Sequence, residues 1–403
     1  MDTALQCALS VIVERGSALY LLSMQRIFNL IESATWGFAT IPTLVVFGIV
    51  FTLFTRFSQI RFFGRMFTGL GRSSTAVGGI SSRKAFLLAV GGRVGAGNIT
   101  GVSVAITLGG PGAVFWMWAL AIMGMATMFV ECSLAQLYKR KMPDETFRGG
   151  PLQTIIYGLG QDFRWLAIIF SVCMIASYGL GVLAFQSQTV VTAVREGTGV
   201  GPALGGGALA LVFGLIVFGG IRRIASASAF IVPVFALGYI AMALAIIALN
   251  LSDVPAVLYA IVANAFGWEE AVSGGVGAAV LHGMQRGLSS NEAGLGSASN
   301  VAGAAFAKHP IDQGITQAFG VFIDTIVICS CTALIIMLSD FYVLESSEFD
   351  GIAVVQHALA AEIGNWSRPM MSLIILLIVF SFHALEQTLR LPVGYASAQR
   401  IVV

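Results

Sequence analysis

The sequence predicts an all-α polytopic membrane protein with two inverted repeats. Three observations predict it. First, hydrophobic residues make up 57% of the 403 and charged residues only 10%, with a mean hydropathy of +0.87. A soluble domain carries about 25% charged residues, so a soluble enzyme, a nucleic-acid binder and a disordered chain are all excluded. Second, apolar runs long enough to cross a bilayer follow one another, too long for the alternating strands of an outer-membrane barrel. Third, glycines crowd the middle of the second run and punctuate the first half of the stretch that holds the seventh. Interrupted segments in corresponding positions of two halves are the sequence pointer to an inverted repeat in a membrane protein.

Residues 1–33 carry Glu14, Arg15 and Arg26 among apolar side chains, without the basic start of a signal peptide. They read as an amphipathic lead-in at the membrane surface. Spans are expected near 36–55, 84–109, 112–137, 164–193, 203–220, 224–249, 271–292, 312–338 and 368–388. Surface helices are expected at 254–268 and 351–364. This gives a first helix and basic loop (34–83), a first five-helix repeat (84–250), an incomplete second repeat (251–388) and a tail (389–403). Orientation follows from the basic loops. Arg56, Arg61, Arg65, Arg72, Arg83 and Lys84 lie between spans one and two; Lys139, Arg140, Lys141 and Arg148 follow span three. Arg222 and Arg223 follow span five, with Arg286 and Lys308 around the end of span seven. Every second loop is therefore expected to be cytoplasmic, with the N-terminus outside. Trp116 and Trp118 then fall near the outer interface as anchors.

The chemistry concentrates at 84–112, KAFLLAVGGRVGAGNITGVSVAITLGGPG, where Gly91, Gly92, Gly95, Gly97 and Gly101 sit in mid-span. Backbone freed inside a bilayer is tolerated only where it packs on protein or lines a cavity. A discontinuous helix is expected here. It resembles a dinucleotide loop only superficially, because its flanks are long and apolar and no acid follows before Glu131. Broken helices expose carbonyl oxygens, which suit a hard cation, and N–H groups, which suit a carboxylate. Arg93 at this depth costs roughly 2.5–3.5 kcal/mol on insertion scales. It needs an aqueous cavity or a carboxylate, and Glu131 and Asp324 are the candidates, as a structural pair or as gating charges. The stretch 271–300 is a second broken element, punctuated by Gly274, Gly275, Gly277 and Gly283. Span four holds Phe185, Gln186, Ser187 and Gln188; two amides in an apolar helix call for partners or a polar pathway. His282 and His383 read as packed polar residues. The five cysteines form no CxxC pair and the histidines no HExxH. With no metal cluster and no nucleophile–base pair, an enzyme is not expected.

GGPGAVFWMWALAIMG at 109–124 resembles the signature of the alanine/glycine:cation symporters, also called sodium:alanine symporters. VGAGNITGVSVAI at 94–106, ECSLAQLYKR at 131–140, FRGGP at 147–151 and RGLSSNEAGLGSASN at 286–300 agree. The resemblance, from about residue 34 to 381, implies a LeuT-type core of two inverted five-helix repeats after one extra helix, in a bacterial-type inner membrane. It implies sodium-coupled uptake of small neutral amino acids, chiefly alanine and glycine, by alternating access, with no organic cofactor. Proton coupling, exchange or a channel on the same scaffold are the alternatives. The substrate is implied beside Gly95, Gly97 and Asn98, with contacts from span four (Phe185, Gln186, Gln188) and span seven (Gly277). Sodium is implied at main-chain oxygens near Gly91 and Val94 and at the hydroxyl of Ser381. After Phe380-Ser381 the chain departs from the family pattern, reading FHALEQTLRLPVGYASAQRIVV. A frameshift or truncation is expected there, which would leave an inactive product if part of the site is lost.

Overall fold

A computed structural model describes residues 26–27, 30–69, 80–143, 145–217, 220–268, 275–340 and 351–379. Residues Met1–Val46 and Phe47–Val403 form separate compact units, and the candidate site lies in the second. The described residues are overwhelmingly helical. The main helices are α1 (Leu30–Phe54), α2 (Ser82–Arg93), α3 (Gly97–Gly109), α4 (Gly112–Leu137), α5 (Gln161–Thr198), α6 (Pro202–Val217), α7 (Gly220–Leu249) and α8 (Val254–Ala265). They continue as α9 (Gly275–Asn291), α10 (Ser297–Ala304), α11 (Pro310–Met337), α12 (Ile352–Ile363) and α13 (Ser367–Val379). Five helices are long and apolar enough to cross a membrane, or six if the bent pair α2–α3 is one span. The chain is therefore a multi-pass membrane protein.

The placement of side chains fits lipid as the solvent. Leu53 and Phe54 of α1, Val172 and Leu180 of α5, and Phe230 and Leu237 of α7 are exposed, as apolar residues facing hydrocarbon should be. The interior is where polarity collects: Asn98, Ser290, Gln313, Gln317, Asp324, Thr325 and Thr332 have no exposed surface.

Two helices are interrupted. α2 ends at Arg93, Val94 turns to an extended conformation (φ −70°, ψ 93°), and α3 leaves at 50° to α2. The second interruption lies at 292–296, between α9 and α10. There Glu292, Gly294 and Gly296 take φ of 53°, 89° and 92°, conformations costly for any residue but glycine. The break falls within the NEAGLG stretch, in the second half of the element expected at 271–300; of the glycines singled out in the first half, Gly274 lies outside the described residues, Gly275 takes a φ of 71° where α9 begins, and Gly277 and Gly283 stay helical. Gly283 does so against the main chain of Ala113.

The two broken helices run antiparallel. α2 packs on α10 and α3 on α9, and strand β1 (Ile80–Ser81), which leads into α2, pairs in parallel with β4 (Ala305–Phe306), which leaves α10. Strands β2 (Arg140–Lys141) and β3 (Phe147–Arg148) form an antiparallel pair nearby. The FRGGP motif closes this end: a Cβ on Gly149 would meet the Gly303 Cα at 2.9 Å, so two backbones touch where no side chain fits. α4 and α11 pack along the broken pair. Trp116 and Trp118 of α4 do not spend their indole N–H groups on a membrane interface. Trp116 Nε1 donates to the Ala265 carbonyl at 3.2 Å, and Trp118 Nε1 to Ser330 Oγ at 2.8 Å.

Candidate functional site

The break in α2–α3 is stabilised by side chains that replace helical partners. In an unbroken helix the N–H groups of Gly95 and Ala96 would bond the carbonyls of Gly91 and Gly92. Here the Gly95 N–H donates to Asn98 Oδ1 at 2.9 Å and the Ala96 N–H donates to Gln186 Oε1 at 2.8 Å. The carbonyl oxygens of Gly91 and Gly92 are thereby deprived of those donors. A Cβ on Gly95 would meet the Gln186 amide, so a larger residue there would push aside the side chain that holds the Ala96 N–H.

Asn98 ties the break to two other helices. Its Nδ2 donates to Ser290 Oγ of α9 at 3.0 Å, to the Asp324 carbonyl of α11 at 3.4 Å and to the Asp324 carboxylate. Ser290 Oγ donates to Asp324 Oδ2 at 3.3 Å, and Thr325 Oγ1 to the same oxygen at 3.1 Å. The Asn98 carbonyl accepts from Thr332 Oγ1 at 2.9 Å, which in turn meets Tyr239 Oη of α7 at 2.7 Å. Asp324 and Thr325 lie on a stretch of π-helix, Phe322–Cys329. Two further π-turns, Gly97–Gly101 and Ser177–Val182, border the same region. Such widened turns re-aim side chains and often occur at functional sites.

A cavity of about 290 Å³ adjoins this network. Gly97, Phe185 and Gln186 line it, with Arg93 from α2 and Arg286, Ser289 and Glu292 from the other broken helix. Arg93 is buried but forms no ion pair with Glu131 or Asp324 among the described residues. Its Nη1 donates to the Gln317 carbonyl at 3.2 Å, its Nη2 to Gln317 Oε1 at 3.2 Å and its Nε to the Ala89 carbonyl at 3.2 Å. A glycine at 320 makes room for the guanidinium: a Cβ there would stand 2.8 Å from Arg93 Cζ. Asp324, Glu292 and Glu131 act on Arg93 through space. Glu131 itself accepts the Gly294 N–H at 2.9 Å.

The structure thus brings together Gly91, Arg93, Val94, Gly95, Gly97, Asn98, Phe185, Gln186 and Asp324. Gln188 is not in this group. It is exposed and lines a different, largely apolar cavity between α5 and α6 with Leu183 and Leu209. Two positions along a helix turn a side chain by about 200°, so Gln186 and Gln188 cannot share a face, and only Gln186 is a buried amide. Gly277 stands near the start of α9, thirteen residues before Ser290, or about 20 Å along the helix axis. Ser381 lies outside the described residues, as do His383 and the tail. Sequence reasoning did not single out Ser290, Glu292 or Gln317 as site residues. It placed Arg286 with the loop charges, whereas this residue lines the cavity and packs against Gly101.

A family model described as the sodium:alanine symporter family matches residues 21–387. The chain belongs to the sodium:alanine symporter family. Among its relatives, the probable sodium/glutamine symporter GlnT of Bacillus subtilis is 43% identical over 364 residues, 90% of this chain and 75% of the relative. The amino-acid carrier protein AlsT of the same organism is 44% identical over 338 residues, 84% and 71% of the two chains. The putative sodium/proton-dependent alanine carrier protein YrbD, also from B. subtilis, is 40% identical over 334 residues, 83% and 68%. As a family member the chain is a transport protein rather than an enzyme, in a class that couples amino-acid movement to sodium.

Proposed function

We propose that this protein carries small neutral amino acids, alanine and glycine first, into the cell together with sodium, by alternating access. The observation that carries the reading is the break at Val94–Ala96, whose backbone is re-satisfied by Gln186 and Asn98 beside a cavity of about 290 Å³. That volume stands at the lower limit for small-molecule pockets and suits a compact zwitterion. Arg286 and Arg93 supply positive charge for its carboxylate, and Glu292 supplies negative charge for its ammonium group. Sodium, a hard cation, suits the Gly91 and Val94 carbonyls or the oxygens of Asp324, Ser290 and Thr325. The antiparallel broken helices support a LeuT-type inverted repeat. The basic residues of the β2–β3 pair support a cytoplasmic position for that end and an inner-membrane orientation with the N-terminus outside. On this reading residues 251–388 belong to the second repeat.

Proton coupling is the second reading. It is favoured by three carboxylates, Glu131, Glu292 and Asp324, set inside the protein against two guanidinium groups, Arg93 and Arg286. Uptake of labelled alanine into proteoliposomes at fixed pH, with and without an inward sodium gradient, separates the two. Uptake that follows a proton gradient and ignores sodium would overturn the first reading.

A further inference from the structure

A second chamber, of about 190 Å³, lies on the other side of the 292–296 break. The two cavities share that stretch as a wall: Glu292 and Leu295 face the first, while Gly294 and Gly296 face the second. The wall is a single stretch of backbone five residues long. It holds three left-handed residues and sits between two helix ends, without the continuous hydrogen-bond ladder of a helix. The far side of the second chamber is formed by Thr154 and Ile155, which follow the basic β2–β3 pair, by Phe170 of α5 and by Ser299 of α10. Its charged group is Glu131, whose Oε2 holds the wall through the Gly294 N–H at 2.9 Å.

We propose that this second chamber is an inner transit subsite for the amino acid, with Glu131 receiving its ammonium group as it leaves the first cavity. The inference rests on the transport reading above. A carboxylate in a membrane interior calls for a cationic partner, and here, with Ser299 and Gly296 nearby and Arg93 acting on it only through space, its Oε1 is buried without a hydrogen-bond partner among the described residues. An arriving ammonium group finds that free Oε1 and makes an ion pair as well as a charge-assisted hydrogen bond, while the Gly294 N–H stays on Oε2. The chamber is larger than a bare ion requires, and Leu134, Ile155 and Phe170 give it apolar sides suited to an aliphatic substrate.

The test is Glu131→Gln, whose amide oxygen keeps the Gly294 bond while the charge is lost. Alanine binding in detergent is expected within threefold of wild type, and sodium-driven uptake of alanine into proteoliposomes at least tenfold lower. Uptake at the wild-type rate overturns the proposal, and so does a parallel loss of binding and uptake. Thr154→Phe fills the chamber from a different wall and is expected to give the same pattern; wild-type uptake in that variant is equally fatal. Sodium binding without alanine, read as protection against thermal unfolding, is expected unchanged in Glu131→Gln. Its loss would assign the carboxylate to the ion and overturn the proposal. If the wild-type protein itself takes up no alanine under a sodium gradient, the transport reading fails instead, and the two failures are told apart.

Discussion

Replacing Asn98 by alanine removes the side chain on which the central break depends. Two separate losses follow. The Gly95 N–H, which Asn98 Oδ1 accepts at 2.9 Å, is left without a partner in a fully buried position. An orphaned buried donor costs about 1–3 kcal/mol. The Asp324 carboxylate loses the donor Nδ2, a bond to a charged group worth about 1.5–3 kcal/mol. Ser290 and Thr325 still donate to that carboxylate, so it is weakened rather than abandoned. Together the losses come to about 2.5–6 kcal/mol, or roughly 70-fold or more in an equilibrium that depends on the broken conformation. The assay is sodium-driven alanine uptake into proteoliposomes, with thermal unfolding in detergent as a parallel readout. Asn98→Ala is expected to lower uptake more than tenfold and to lower the unfolding temperature. Asn98→Asp divides the two contributions. It keeps an acceptor for Gly95 but sets a second carboxylate against Asp324, a repulsion of roughly 5 kcal/mol for charges about 3 Å apart at an effective dielectric near 20. Uptake within twofold of wild type in Asn98→Ala, with an unchanged unfolding temperature, would refute the reasoning.

Other outcomes follow from the same geometry. Gln186→Ala orphans the Ala96 N–H beside a cavity that water can enter, so alanine affinity should fall by about five- to tenfold, towards the lower end of the roughly 1–3 kcal/mol range, as measured by binding in detergent. Gly320→Ala puts a methyl group onto the Arg93 guanidinium and displaces it from Gln317. Uptake should drop at least tenfold, and a wild-type rate would show that Arg93 has room elsewhere.

Much of the fold was legible because bilayer physics leaves few choices. The third expected span, 112–137, coincides with α4, since a long apolar run bounded by Gly-Pro-Gly and basic residues can hardly be anything but a helix across lipid. The helices expected at 254–268 and 351–364 coincide in extent with α8 and α12, although α12 is buried along most of its length. The first break was readable for the same reason: five glycines and an arginine in mid-span have no place in a lipid-facing helix. The second break was harder to place. Gly283 and Gly287 of α9 mark close helix contact, whereas the interruption depends on left-handed conformations at Glu292, Gly294 and Gly296, which glycine content alone does not locate. Side-chain partners were the least legible. Arg93 had two carboxylates of suitable polarity within the predicted spans, yet it bonds to Gln317, an amide about two turns before Asp324 on α11 that carries no charge to attract notice. Likewise, helical rotation rather than composition decides that Gln186 meets the break and Gln188 faces away from it.

The most direct measurement is initial-rate uptake of labelled alanine by purified protein in proteoliposomes, with an inward sodium gradient imposed at equal pH on both sides. Accumulation above the equilibrium level that collapses when sodium is replaced by potassium is the predicted result. Accumulation indifferent to sodium, or no alanine uptake alongside robust conductance, would contradict the account.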